Sequence, residues 1–532
     1  MNSPNDHVTH NDEDKTGLAK FGDPIVLALS GGFVILFVVL SFLNVDSVAG
    51  SIATGFAWTA NVLGSYFQLL LLMTFFIAIG LAVSPAASAK IGGLNTPELS
   101  TFKWLSIIMC TLLAGGGVFF AAGEPVYHFV VTPPSFDYQP GTTEAVAGAL
   151  AQSFMHWGFL AWAVLGSLTS IVLAYWHYEK GLPLQPRTLL YPIFGKHVLK
   201  GWLGGVVDAC CVIAVVAGTV GPIGFLATQV SFGLHELFGI SSGYSTQLMI
   251  LGVLGALYVT SAATGIHKGI QLLSRFNVFL VLAIATVIFV FGPTLFYTNA
   301  FLQGFGEYIS SFVAMSTVTS ETAPGWWMQW WTVFFFAWFI GYGPLMAIFV
   351  ARISRGRSIR EMILAVAVMA PIATAVWFTL LGGSGIFYQL TGVIDLTDAL
   401  NNFQFDVATL TVTQALPGGI LMTLAILLLT TIFVATTGDS MSYSIAVVCS
   451  GHDQPHTSVR IFWGVTMSLM AAILLYMGSG QIGVLQQFIV ITAIPVSLII
   501  LPSLWLGPQA AYAMARSQNI LHPKKEVVSE VS

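Results

Sequence analysis

Residues 331–361 read WTVFFFAWFIGYGPLMAIFVARISRGRSIRE. The first twenty, 331–350, carry no charge, and four arginines follow at once: Arg352, Arg355, Arg357 and Arg360. About 20 apolar residues suffice for a helix to cross a bilayer. Lys and Arg collect in the loops on its cytoplasmic side. The stretch therefore reads as a membrane-spanning helix whose end is held inside.

The rest of the chain fits that reading. Of 532 residues, 56% are hydrophobic and 8% charged, with mean hydropathy +0.84. A soluble domain carries roughly 25% charged residues, so an ordinary water-facing surface cannot be built here. The net charge of −5 argues against a nucleic-acid partner; the outer surface instead meets membrane lipid. Cys110, Cys210, Cys211 and Cys449 lack zinc or redox spacing and read as small buried hydrophobes.

Apolar runs predict an all-α integral membrane protein of about twelve spans. They lie near 24–43, 58–83, 104–120, 146–175, 206–232, 247–263, 276–297, 331–350, 363–381, 420–448, 461–477 and 484–506. With the N-terminus inside, all 18 Lys and Arg fall on one side. The opposite loops hold acids instead, among them Asp137, Glu144, Glu236, Glu307 and Asp406. One missed span would destroy this separation. Residues 1–22 and 511–532 read as cytoplasmic tails around a transporter-sized domain at 23–510. Both termini are thus expected in the cytoplasm of a cell bounded by this membrane, a bacterial inner (plasma) membrane. Asp208 and Asp439, near inner helix ends, fit either an inner ion pair or a functional role.

Two spans contain breakers. The third reads Ala114-Gly115-Gly116-Gly117, then Gly123-Glu124-Pro125; the eighth reads Gly341-Tyr342-Gly343-Pro344. They lie five spans apart, as two five-helix repeats of opposite topology would place them. Paired Gly/Pro interruptions mark a transporter's binding site; close packing through small residues is the other reading. On the eighth span, Trp331, Phe335, Trp338 and Tyr342 share one face, with Phe339 adjoining. The fourth adds Trp157 and Trp162. Ring faces can hold a cation that lacks N–H donors, and they can equally be packing. No acidic residue lies mid-helix beside the expected breaks, so ring faces and no carboxylate counter-charge are expected to form the pocket. On the tenth span, the Thr436 and Thr437 hydroxyls could hold a small cation, or could bond back to their own helix.

These residues together resemble the betaine/carnitine/choline transporter (BCCT) family. The most specific match is Ala351-Arg352-Ile353-Ser354-Arg355-Gly356-Arg357 after the aromatic helix. Glu124-Pro125, His156-Trp157-Gly158, Lys180-Gly181-Leu182-Pro183-Leu184, Trp377-Phe378-Thr379 and Thr436-Thr437-Gly438-Asp439-Ser440 add to it. The resemblance implies two leading helices and two inverted five-helix repeats (LeuT-like), assembled as a homotrimer. It implies a substrate site of Trp157, Trp162, Trp338, Phe339 and Tyr342, with the backbone of Ala114, Gly115, Gly116 and Gly117. It implies a sodium site at Phe433, Thr436 and Thr437, completed by Ala114 or Gly117, with Na⁺ as coupling ion and no other cofactor. The expected function is sodium-coupled import of a small quaternary ammonium or sulfonium osmolyte: glycine betaine, choline, carnitine or dimethylsulfoniopropionate. The alternative is a sodium-independent exchanger or a proton-coupled symporter of the same family. The sequence departs from the family pattern where Phe336, Phe339 and Tyr342 stand for tryptophans. It departs again at Leu165, where a tyrosine is usual, and at Gly221-Pro222, where a Thr-Ser pair is usual. An enzyme is not expected, because no nucleophile motif such as G-x-S-x-G accompanies His156. Nor is a channel, because no ring of charges lines a pore.

Overall fold

The computed structural model describes residues 17–521 apart from 113, 265–266 and 452–453; at 17, 20, 110–112, 114–115 and 267–271 it describes the backbone alone. The described residues form helices and no strand, with one isolated bridge between Lys90 and Ser358. Eleven of these helices are long and apolar enough to cross a membrane. They are α1 (Pro24–Leu43), α2 (Val45–Val83), α4 (Ala145–Glu179), α5 (Trp202–Phe238), α6 (Tyr244–Thr264), α7 (His267–Phe291), α8 (Gly325–Ile353), α9 (Ile359–Leu390), α10 (Ile420–Ser450), α11 (Thr457–Met477) and α12 (Gly483–Ile500). The remaining expected crossing, α3, is described as two segments, Thr101–Leu112 and Ala114–Val130.

Four elements differ from the sequence reading. First, α2 starts at Val45, not near 58. The Asn44 side chain accepts the Ser47 N–H and caps it, which starts the helix in a Ser/Gly-rich stretch too polar to score as a span. At 39 residues it is about 58 Å long, well beyond a ~30 Å hydrocarbon core.

Second, α4 is not continuous. It breaks at Gly158 (φ −99°, ψ −136°) and at Ser167 (φ −101°, ψ −97°). A side chain at Gly158 would run into the Phe154 carbonyl and the Tyr308 hydroxyl. That hydroxyl accepts the Phe159 N–H at 3.1 Å, so a backbone donor released by the break is satisfied inside the protein, as membrane depth demands.

Third, α8 passes helically through Gly341, Tyr342, Gly343 and Pro344; its irregularity is a π turn at Gln329–Val333. Fourth, α3 does not end near 120. It runs to Val130 with Pro125 inside it, which carries Glu124 into the fully buried interior.

The Arg-rich segment after α8 is a clip. Arg357 donates to the Leu99 carbonyl at 2.8 Å and stacks over Trp104 at 4.7 Å. Arg360 bonds the Ala82 and Ser84 carbonyls at the end of α2, and Ser358 with Glu361 caps α9. Gly356, at φ +79°, sits against the Thr96 carbonyl, where no Cβ would fit. Asp208 proves structural: Arg187, buried, bonds it at 2.7 Å and Asp23 at 2.8 Å, tying α1 to α5. Asp439 lies 3.8 Å from Arg460.

Candidate substrate site

In mid-protein, α3, α4, α5, α8 and α10 close on a cavity of about 50 Å³. Trp157, Trp338, Phe339 and Tyr342 line it with Gly116, Gly117, Leu165, Pro222, Met346 and Thr437. Trp157 meets Phe339 edge-on at 5.5 Å and Trp338 at 6.0 Å, while Trp338 and Phe339 stack at 6.2 Å. A Cβ on Gly116 would strike the Trp338 ring; the missing side chain is what lets the indole lie on α3. Ligand pockets run to ~300 Å³ and more, so the cavity must widen to admit a substrate.

Each polar ring is anchored. Pro222 has no N–H, so α5 leaves the carbonyl of Gly218, four residues back, without its helical donor. The Trp338 indole N–H donates to that carbonyl at 3.1 Å. Thr219 gives its proton to the Val215 carbonyl, so the Tyr342 hydroxyl donates to Thr219 Oγ1 at 2.8 Å. A Cβ on Gly218 would collide with Tyr342 and crowd Trp338, so glycine is required for α8 to approach.

Trp157 is anchored by a carboxylate, which corrects the expectation that none stands behind the pocket. Glu124 Oε2 accepts the Trp157 indole N–H at 2.7 Å, and Oε1 lies 2.7 Å from His156 Nδ1. His156 Nε2 lies 3.2 Å from Thr332 Oγ1 and from Gln152 Nε2. His128 Nε2 is 3.5 Å from Glu124. Glu124, His128 and His156 could offer a metal three ligand atoms. However, the 2.7 Å Glu124–His156 contact is hydrogen-bond spacing, shorter than the ~3.3 Å that separates two ligands on a tetrahedral ion with ~2.0–2.1 Å bonds. Glu124 and His156 are a hydrogen-bonded pair, with His128 packed beside them.

Trp162 does not line the cavity. It is buried in a separate cluster with Trp104, Leu168 and Val350. It follows Trp157 by five residues, about 140° round an ideal helix, and the Gly158 break intervenes. Thr437 lines the cavity beside Gly117. Thr436 is buried and gives its proton to the Ile432 and Phe433 carbonyls at 2.7 and 3.1 Å. Phe433 is buried on the same helix. Ala114 and Gly115 are described by backbone alone, and both lie in the helical segment that brings Gly116 and Gly117 to the cavity.

The family profile described as BCCT, betaine/carnitine/choline family transporter, matches residues 25–516. The chain belongs to the BCCT family. It is similar to glycine betaine transporter 2 of Vibrio parahaemolyticus, 48% identical over 496 residues, covering 93% of this chain and 91% of that protein. It is 32% identical over 488 residues to glycine betaine transporter OpuD of Bacillus subtilis, with 90% and 91% covered. It is 30% identical over 473 residues to an ectoine/hydroxyectoine transporter of Virgibacillus pantothenticus, with 88% and 93% covered. This BCCT chain is thus a multi-pass membrane transporter of the betaine/choline type. Sequence reasoning missed the roles of Glu124, Gly218, Thr219 and Pro222 in its box. Two of them carried a signal: Glu124-Pro125, an acid beside an apolar run, and Gly221-Pro222, a departure from the family pattern.

Proposed function

We propose that this BCCT transporter imports a methylated onium osmolyte, glycine betaine foremost, by symport with Na⁺, with both termini in the cytoplasm. The observation that carries the reading is the cavity in which Trp157, Trp338, Phe339 and Tyr342 face the Gly116–Gly117 backbone beside Thr437. A methylated onium has no N–H to satisfy and presents methyl groups to ring faces. A primary ammonium has three donors, and the cavity lining offers few acceptors, so burying it would leave bonds unmade at a cost of about 1–3 kcal/mol. The names of the two glycine betaine transporters among the relatives support glycine betaine over choline, carnitine or dimethylsulfoniopropionate. Thr437 at the cavity wall and the neighbouring hydroxyl of Thr436 support sodium coupling.

The test is uptake of labelled glycine betaine into proteoliposomes under an inward Na⁺ gradient, with choline, carnitine, dimethylsulfoniopropionate and glycine as competitors. The reading expects Na⁺-dependent accumulation and no competition from glycine. Full uptake without Na⁺, and without internal countersubstrate, overturns the coupling in favour of exchange or proton symport. Equal competition by glycine overturns the onium pocket.

A further inference from the structure

The cavity wall carries no charged residue, yet its substrate class is cationic at the head; this inference rests on that reading. A carboxylate at membrane depth is costly to keep. Glu124 is fully buried all the same, in the middle of the α3 segment Ala114–Val130. Among the described residues its close partners are His128 and His156, which carry charge only when protonated, with no lysine or arginine among them; with His156 Nδ1 bearing its proton, both carboxylate oxygens accept N–H bonds, an arrangement that suits the ionised carboxylate. Its Oε2 takes the indole N–H of Trp157 at 2.7 Å, and the Trp157 ring is a wall of the cavity.

We propose that Glu124 supplies the counter-charge for the onium head, acting through Trp157 as a positioning and specificity-determining residue. Two effects combine. A carboxylate bound to the indole N–H in the ring plane pushes electron density into the ring, which strengthens the attraction of its face for a cation. The same charge acts directly on the onium. A cation over the ring face would lie ~7 Å from the carboxylate; with an effective dielectric of ~20, that attraction changes affinity on the order of tenfold to fiftyfold. The charge thus stands one ring behind the pocket. There it attracts the head group without offering it an acceptor, so a donor-free onium keeps its advantage over an ammonium.

The decisive variant is Glu124→Gln. Its amide oxygen still accepts the Trp157 N–H, and its amide nitrogen can donate to His156 Nδ1 once the imidazole moves its proton to Nε2, where Thr332 Oγ1 can accept it, so the shape and the Trp157 bond persist while the charge goes. The probes are glycine betaine and its carbon isostere 3,3-dimethylbutanoate, which keeps the three methyls and the carboxylate but has no positive charge. Inhibition constants for both are measured against labelled uptake in proteoliposomes. The expected result is a loss of at least tenfold for glycine betaine, with the isostere changed less than about twofold. Equal losses for both probes would mean that Glu124 only shapes the wall, and would overturn the proposal. So would an unchanged betaine constant. Should Glu124→Gln not yield folded protein, Trp157→Phe tests the same link. It keeps a ring face and the carboxylate but removes the N–H that joins them, and it should lower the preference for betaine over the isostere several-fold; an unchanged preference overturns the action through Trp157. If the parent protein itself does not prefer glycine betaine to the isostere, it is the onium reading that has failed. A parent preference that survives Glu124→Gln refutes the counter-charge alone.

Discussion

Replacing Pro222 by alanine should stabilise the protein and weaken its grip on substrate, and the two effects have one cause. Pro222 lies inside α5 and withholds an N–H from the Gly218 carbonyl, which accepts the Trp338 indole N–H at 3.1 Å instead. Alanine restores the N–H and the helical bond. Proline in a helix interior is worth about 3 kcal/mol less than alanine in water; inside a packed bundle we expect a gain of ~1–2 kcal/mol, seen as a higher unfolding temperature in detergent. The restored N–H competes for the carbonyl that holds Trp338. A net hydrogen bond is worth about 0.5–1.5 kcal/mol, so the dissociation constant should rise by roughly twofold to tenfold. The assay is a double-mutant cycle with Trp338→Phe, which keeps a ring but has no indole N–H. In that background Pro222→Ala should have little further effect on binding, leaving a coupling of about 0.5–1.5 kcal/mol. Additive losses would show that Pro222 acts by filling the cavity wall, and would refute the anchor.

Four further outcomes follow. Gly116→Ala puts a methyl against the Trp338 ring; the overpacking should cost ~1–3 kcal/mol, read as a raised KM with the protein still folded. Trp162→Leu should leave the KM within about twofold of the parent, whereas Trp157→Leu should cost about 0.5–2 kcal/mol of binding, because of these two Trp157 alone lines the cavity. Replacing both Thr436 and Thr437 by alanine should raise the Na⁺ concentration for half-maximal uptake, measured at saturating substrate. Arg187→Met leaves Asp208 buried without its cation and should destabilise by ~3–5 kcal/mol, with part of that recovered when Asp208→Asn is added, as read from thermal unfolding.

The architecture was legible because lipid imposes a simple code. Apolar runs of the right length, and the confinement of every Lys and Arg to alternate loops, leave little freedom in the number of crossings. The box residues Trp157, Trp338, Phe339 and Tyr342 were legible by their spacing and their family resemblance, and they converge on one cavity. What escaped were features whose partners lie far along the chain. Gly158 breaks α4 where Tyr308, about 150 residues away, satisfies the next N–H. Nothing local distinguishes that glycine from one used for packing. The apolar run at 104–120 stops short of Glu124, yet the helix continues through Pro125 to Val130, because in a bundle a proline inside a helix is tolerated where neighbours satisfy the freed groups. Trp162 was grouped with Trp157 because both lie on one apolar run, and the intervening break could not be read.

On the proposed reading, the same residues would let a box with fewer tryptophans than the resemblance implies still discriminate. Phe339 and Tyr342 present less ring area than indoles, so each contact with a head group gives less dispersion and a weaker electrostatic face. Affinity also depends on how little freedom the pocket loses when it binds. Here the ring positions are set by bonds outside the pocket: Trp157 to Glu124, Trp338 to the Gly218 carbonyl, and Tyr342 to Thr219. The last two anchors come from α5, where glycine and proline stand at the positions of the usual Thr-Ser pair. The substitution that removes two hydroxyls from α5 thus also frees a carbonyl, and that carbonyl fixes an indole. A wall held this way can close on a small head group with less area, because little of the interaction is spent on ordering side chains. Loosening any one anchor should therefore weaken the onium more than enlarging a ring would strengthen it.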